Sequence, residues 1–210
     1  MISHAQAQCH YLDISAMPPL SAIEPGMPPE RRKALHAFAR HDDRLRCAAG
    51  WLLMRARLGA RAARMRYGRY GKPFLPGGPY FSLSHSGRYA LLAEAPMPVG
   101  ADVEEIRPDE DYAALAEQAL HPEERRCFAS NPVPQTFFDL WTLKESYLKL
   151  RGSGLNEDPA TFALTLENSN ARLPEMPDIH FRLYHQLPGH SAAICLYRCK
   201  PPEAITPLRL

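Results

Sequence analysis

Apolar residues recur at helical spacing in two long stretches of the chain and alternate with polar residues in several short ones. Leu45, Ala48, Ala49, Leu52, Leu53 and Ala56 keep the rhythm of a helix with one buried face, with Asp42 or Asp43 as its cap. Pro28 and Pro29 followed by Glu30 predict a shorter helix over 31–40 with Leu35 and Phe38 inward. The second long helix, 137–150, is apolar over most of its circumference. Only Asp139, Thr142, Glu145, Ser146 and Lys149 form a narrow polar stripe. Residues 108–129 also read as helical, with Leu115, Ala119 and Leu120 on one side. Period-two alternation predicts a strand over 9–14, a hairpin over 81–93 about the Ser86-Gly87 turn, a third strand over 99–104, and later strands over 161–166, 179–184 and 191–197. Pro96 and Pro98 put a boundary after the hairpin, dividing the chain into subdomains 1–97 and 98–210. The proline-punctuated tail from Pro201 is expected to be peripheral.

Composition narrows the function classes. A chain of 210 residues that is 45% hydrophobic and 23% charged can bury one large core or two small ones. Its net charge of +2 is too mild to call for nucleic acid. The five cysteines are scattered and odd in number, which argues against a disulfide framework or a paired zinc motif and for a reducing compartment, the cytoplasm. No apolar run approaches the roughly 20 residues of a spanning helix, and the first residues lack a secretory signal, so no membrane association is expected.

The candidate chemistry sits where charge meets apolar surroundings. Glu145 and Lys149 are four residues apart and share a helix face, whereas Lys144 points about 100° away from Glu145. Buried carboxylates and ammonium groups are costly unless paired or bound to a ligand. On the strand over 99–104, Val99, Ala101 and Val103 point one way and Gly100, Asp102 and Glu104 the other. Two carboxylates on one face suit a hard cation such as Mg²⁺, which takes one or two of them and fills its shell with water and phosphate oxygens. Arg44, Arg46, Arg55 and Arg57 give the first long helix cationic flanks, and Tyr70-Gly71-Lys72-Pro73-Phe74 is a turn carrying one lysine.

Gly71-Lys72-Pro73, Ser84-His85-Ser86-Gly87-Arg88, Gly100-Ala101-Asp102-Val103-Glu104 and Trp141 through Lys149, in this order and at these intervals, resemble the Sfp-type 4′-phosphopantetheinyl transferases over about residues 30–200. The resemblance implies an α/β (α+β) fold of two similar subdomains related by a pseudo-twofold axis, each a small, mainly antiparallel sheet packed with helices, with coenzyme A and Mg²⁺ in the cleft between them. It implies transfer of the phosphopantetheine arm to a serine of an acyl or peptidyl carrier protein, an acidic helical bundle. Asp102, Glu104 and Glu145 would hold the metal. Arg31, Arg46, Lys72, Ser84, His85, Lys144 and Lys149 would bind coenzyme A, and Glu145, Lys149 and His85 form the catalytic set. Ala34 and Cys47 stand where some relatives carry Lys and Thr. The carrier would dock near Gly152 to Leu155, with Arg151 as the local cation. A chain that forms its cleft from its own two halves is expected to be a monomer. Two other readings stay open on the residues alone: a Mg²⁺-dependent pyrophosphate hydrolase and a non-catalytic module that binds coenzyme A.

Overall fold

The computed structural model describes residues 6–209. β1 (Gln8–Asp13) is followed by a short helical turn, α1 (Leu20–Ile23), and by α2 (Pro29–Ala37), which starts on a proline whose fixed φ suits the first helical position. α2 ends three residues sooner than its pattern predicts, and Phe38, expected inward, is 40% exposed. α3 (His41–Leu58) begins after Arg40 with no side-chain cap; Asp42 and Asp43 lie in its first turn, where carboxylates favour the positive end of the helix dipole without capping it. Its buried face includes Ala48, Ala49, Trp51, Leu53, Met54 and Leu58, and the expected core residue Ala56 is exposed.

β2 (Arg66–Tyr67) and β3 (Pro73–Phe74) make a small ribbon across Gly71, where φ is +81°. β4 (Tyr80–Ser86) and β5 (Tyr89–Ala95) form the expected hairpin, and β6 (Val99–Glu105) follows a short proline loop. The helical stretch predicted over 108–129 is two helices, α4 (Tyr112–Ala119) and α5 (Pro122–Ser130), because Pro122 cannot continue the first and His121 with Glu124 builds a capping box that starts the second. α6 (Pro134–Arg151) ends at Gly152, left-handed at φ +74°.

β7 (Thr165–Glu167) is much shorter than the strand predicted over 161–166, since Asp158 bonds Ala160 N and turns 159–161 into a 3₁₀ coil. β8 (Asn170–Arg172) was too brief to show alternation, while β9 (Ile179–Tyr184) and β10 (His190–Tyr197) match their patterns. The tail is not peripheral: β11 (Thr206–Pro207) pairs in parallel with β1.

Strand order is β11-β1-β5-β4 in one sheet and β6-β10-β9-β8-β7 in the other, so the chain changes sheets at the loop through Pro96 and Pro98 and only β11 returns. Every residue of β5 is buried because the sheet is covered on both faces. Leu92 and Ala90 face α3, while Leu91 and Ala93 face Val99, Ala101, Val103 and Ile194 of the second sheet. α6 covers the outer side of that second sheet through Leu143 and Tyr147 against Phe181, Leu183 and Cys195. The result is four layers, helix, sheet, sheet, helix, with mixed α and β structure and small, mainly antiparallel sheets. Among the described residues no helix is long and apolar enough to cross a membrane.

Candidate active site

The site begins with a missing side chain. A Cβ on Gly100 would lie 1.8 Å from Ser146 O and 2.4 Å from Leu150 N, so only glycine lets α6 rest directly on β6. That close approach brings the polar stripe of α6 onto the face of β6 that carries Asp102 and Glu104. Lys149 Nζ donates to Asp102 Oδ1 at 2.6 Å and to Ser84 Oγ at 2.8 Å, and Ser84 Oγ donates to the same Asp102 oxygen at 2.8 Å. Asp102 Oδ2 is buried with no hydrogen-bond partner. Glu104 Oε2 accepts from Ser86 Oγ at 2.7 Å.

The three carboxylates feel one another. Burial first, and then the charge of Asp102, push the Glu104 carboxyl up to about 7, with Glu145 adding to the rise. Burial and Asp102 likewise raise the Glu145 carboxyl, and Lys149 opposes them. Among the described residues no three His, Cys, Asp or Glu side chains stand as an assembled metal cage. The donor set still fits a hard cation: oxygen ligands only, more negative charge than one ammonium offsets, and an orphaned, buried Asp102 oxygen.

The upper part of the polar stripe has a different task. Asp139 Oδ1 accepts from Ser191 Oγ at 2.6 Å and Gln135 Nε2 at 2.7 Å and meets His185 at 2.9 Å, while Thr142 Oγ1 lies 3.1 Å from Ser191 Oγ. This network fastens α6 to β10.

His85 is exposed, at the end of the β4 face that packs on α3 through Phe81 and Leu83. Enough protein still crowds it that desolvation, and then the Lys149 cation, lower its pKa. An anion bound beside it would restore the charge. Next to it, Gly87 turns the hairpin at φ +48°, and a Cβ there would meet Glu105 and His190 at under 3 Å. Arg46 holds this turn by donating to Gly87 O at 2.7 Å while pairing with Asp43. Arg40, Arg46, His85, Arg88 and Arg107 line an open cavity of 770 Å³ together with Asp42, Asp43 and Glu105. A second cavity, 450 Å³ and mostly apolar, is lined by Glu104, Leu115, Phe137, Phe138 and Trp141, and Arg107 borders both.

Three expected ligand contacts lie elsewhere. Lys144 is fully buried on the far side of α6, where its Nζ reaches Glu124 Oε1 at 2.8 Å, Glu124 Oε2 at 2.6 Å and Phe162 O at 2.7 Å. There it closes the α5–α6 joint, on the side of the helix away from Asp102. Lys72 donates to Val99 O and Leu150 O, both at 3.1 Å, and burial lowers its pKa to about 8; its ammonium caps the end of α6 and ties β3 to the second sheet. Arg31 points its guanidinium at the sulfurs of Met54 and Met65, at 3.7 and 3.8 Å, away from the cavity that Arg46 and His85 line. Arg151 pairs with Glu157 at 3.1 Å.

Sequence reasoning missed Arg40 and Arg107 as cavity residues and the serines of β4 as contacts to β6. The alternation Ser82, Ser84, Ser86 was the available signal for the serines. Nothing in the sequence aimed the arginines.

The pattern that defines the 4′-phosphopantetheinyl transferase superfamily matches residues 98–195, which include Asp102, Glu104, Glu145 and Lys149. The chain is 31% identical over 193 residues to 4′-phosphopantetheinyl transferase Sfp of Bacillus subtilis (strain 168), covering 85% of each chain. It is 39% identical over 113 residues to 4′-phosphopantetheinyl transferase AcpT of Salmonella typhimurium, covering 50% of this chain and 59% of that one. The structure of holo-[acyl-carrier-protein] synthase from Thermotoga maritima overlaps at a TM-score of 0.40 with 22% identity, over 49% of this chain and 64% of that one. The likeness to Sfp spans most of both chains, and the chain belongs to the 4′-phosphopantetheinyl transferase superfamily.

Proposed function

We propose that this enzyme moves the 4′-phosphopantetheine arm of coenzyme A, in the presence of Mg²⁺, to a serine of an apo acyl or peptidyl carrier protein and releases adenosine 3′,5′-bisphosphate. The observation that carries the reading is the grouping of Asp102, Glu104 and Glu145, in which the charge of Asp102 raises the other two carboxyls and one Asp102 oxygen is buried without a partner, beside a cavity that Arg40, Arg46, Arg88 and Arg107 line together with Asp42, Asp43 and Glu105. The adjoining cavities fit a donor of two characters, a polyanionic nucleotide end for the Arg46 and His85 side and an uncharged arm for the Trp141 side.

Asp102, Glu104 and Glu145 would hold Mg²⁺, which when bound supplies Lewis-acid stabilisation of charge on the pyrophosphate. Lys149 lies where it can shift from Asp102 to a phosphate oxygen and offset charge on the departing bisphosphate. Arg46 and His85 position the nucleotide end. Glu145, its basicity raised by burial and by Asp102, is the group we assign to take the serine proton. Attack of the serine oxygen on the β-phosphorus forms one P–O bond and breaks the bond to the bridging oxygen, and the bisphosphate leaves with that oxygen. The chain is proposed to act as a monomer in the cytoplasm.

Incubating the protein with coenzyme A, Mg²⁺ and an apo carrier should add about 340 Da to the carrier by mass spectrometry, the mass of the arm, and chelating the metal should stop it. Bisphosphate release without any carrier would instead favour a hydrolase. His85→Ala should raise the coenzyme A KM by about tenfold, the loss of one charge-assisted contact, with kcat largely kept. An unchanged KM with abolished turnover would instead make His85 a participant in the chemistry.

A further inference from the structure

β6 is the edge strand of its sheet, so every second backbone N–H along it points away from β10 and lacks a strand partner. Serine hydroxyls from β4 accept three of these N–H groups. Ser82 Oγ takes Ala101 N at 3.0 Å, Ser84 Oγ takes Val103 N at 3.4 Å, and Ser86 Oγ takes Glu105 N at 3.1 Å. The offset along the chain is 19 residues at each rung. The side chains of one sheet and the backbone of the other therefore advance together, two residues at a time.

A hydroxyl that has accepted one hydrogen bond still has a proton to donate. Ser84 gives its proton to Asp102 Oδ1 and Ser86 gives its own to Glu104 Oε2, while Ser82 has no carboxylate within hydrogen-bond distance among the described residues. The two carboxylates differ in how much they depend on their serine. Asp102 also has Lys149, whereas Ser86 is the one hydrogen-bond partner of the Glu104 side chain among the described residues.

We propose that Ser86 is a positioning residue for the transfer reaction. It holds Glu104 Oε2, leaves Oε1 as the oxygen open to a cation, and fixes that orientation to the seam between the two sheets. The inference rests on the transferase reading. Neutral Ser86 does this without competing for the metal, unlike Lys149 at Asp102. Removing it leaves a half-buried carboxylate that must be ordered by the cation itself, so affinity for the cation falls while the fold persists.

The test is Mn²⁺ binding by the full chain in the presence of coenzyme A, read as the loss of the free Mn²⁺ paramagnetic resonance signal, with a thermal melt for each variant. Ser86→Ala should weaken Mn²⁺ binding by about tenfold, and Ser86→Thr, which keeps the hydroxyl, should restore it. Ser82→Ala removes a rung that touches no carboxylate and should lower the melting temperature without changing Mn²⁺ affinity. Should Ser86→Ala fold poorly, Ser86→Cys keeps the volume with a weaker donor and should give an intermediate loss. Wild-type Mn²⁺ affinity in folded Ser86→Ala, or an equal loss in Ser82→Ala, overturns the positioning role. A wild-type chain that binds no Mn²⁺ beside coenzyme A overturns the transferase reading along with it, which keeps the two failures apart.

Discussion

Glu145→Gln is expected to lose transfer activity by about a thousandfold while the protein folds normally and still binds coenzyme A. Gln has nearly the volume of Glu, so the contact of α6 with β6, set by Gly100, survives. What disappears is a negative charge and a proton acceptor. In the metal-free protein that charge is a burden, because burial and Asp102 both raise the Glu145 carboxyl. The melting temperature of Glu145→Gln should therefore equal or exceed that of the parent in the absence of metal. Loss of kcat together with gain of stability is the signature of a residue kept for chemistry. Turnover near the parent's would remove Glu145 from the mechanism.

Glu124→Leu should destabilise the fold by about 3–5 kcal/mol, because it strands the Lys144 ammonium where neither partner has any solvent exposure. For a chain of this length that corresponds to a fall in Tm of about 10 °C. Glu124 also accepts from Leu164 N and His121 N, so its loss opens the α5 cap and the approach to β7 as well. Lys144→Met alone should be similarly harmful, since it leaves the carboxylate unpaired. Combining the two replaces a buried pair with apolar volume and should recover much of the loss. Lys144→Met assayed below its melting point should keep the parent's coenzyme A KM, and a large rise there would mean that Lys144 reaches the phosphates after all.

Glu145 and Lys144 show what helix periodicity can and cannot say about a side chain's surroundings. Glu145 stood out because charge on an almost wholly apolar helix must have a partner, and Asp102 and Glu104 were legible as two carboxylates on one strand face. Lys144 belongs to the same helix, and its angle of about 100° from Glu145 already separated the two. The sequence pattern could not show that Glu124, on another helix, waited on that other side, so the motif's two lysines looked like equals. The surroundings of Lys72 were hidden for a related reason. A lysine in a glycine-proline turn looks available to a ligand, and only the tertiary fold brings Val99 O of β6 and Leu150 O of α6 within its reach. The hairpin and long helices were clear from periodicity; β8 and β11 were too short to have any.

The return of β11 to β1 bears on how the protein can be made. His10 and Tyr11 pair with Thr206 and Pro207, and Leu208 N bonds Tyr11 O, so the edge of the first sheet is closed by residues synthesised almost at the opposite end of the chain. During translation β1 and β5 can form with α3, but the outer side of β1 stays bare until the second sheet has been built. The nascent first half thus carries an open edge, a template for pairing between chains. Cutting the gene at the proline loop would make that exposure permanent.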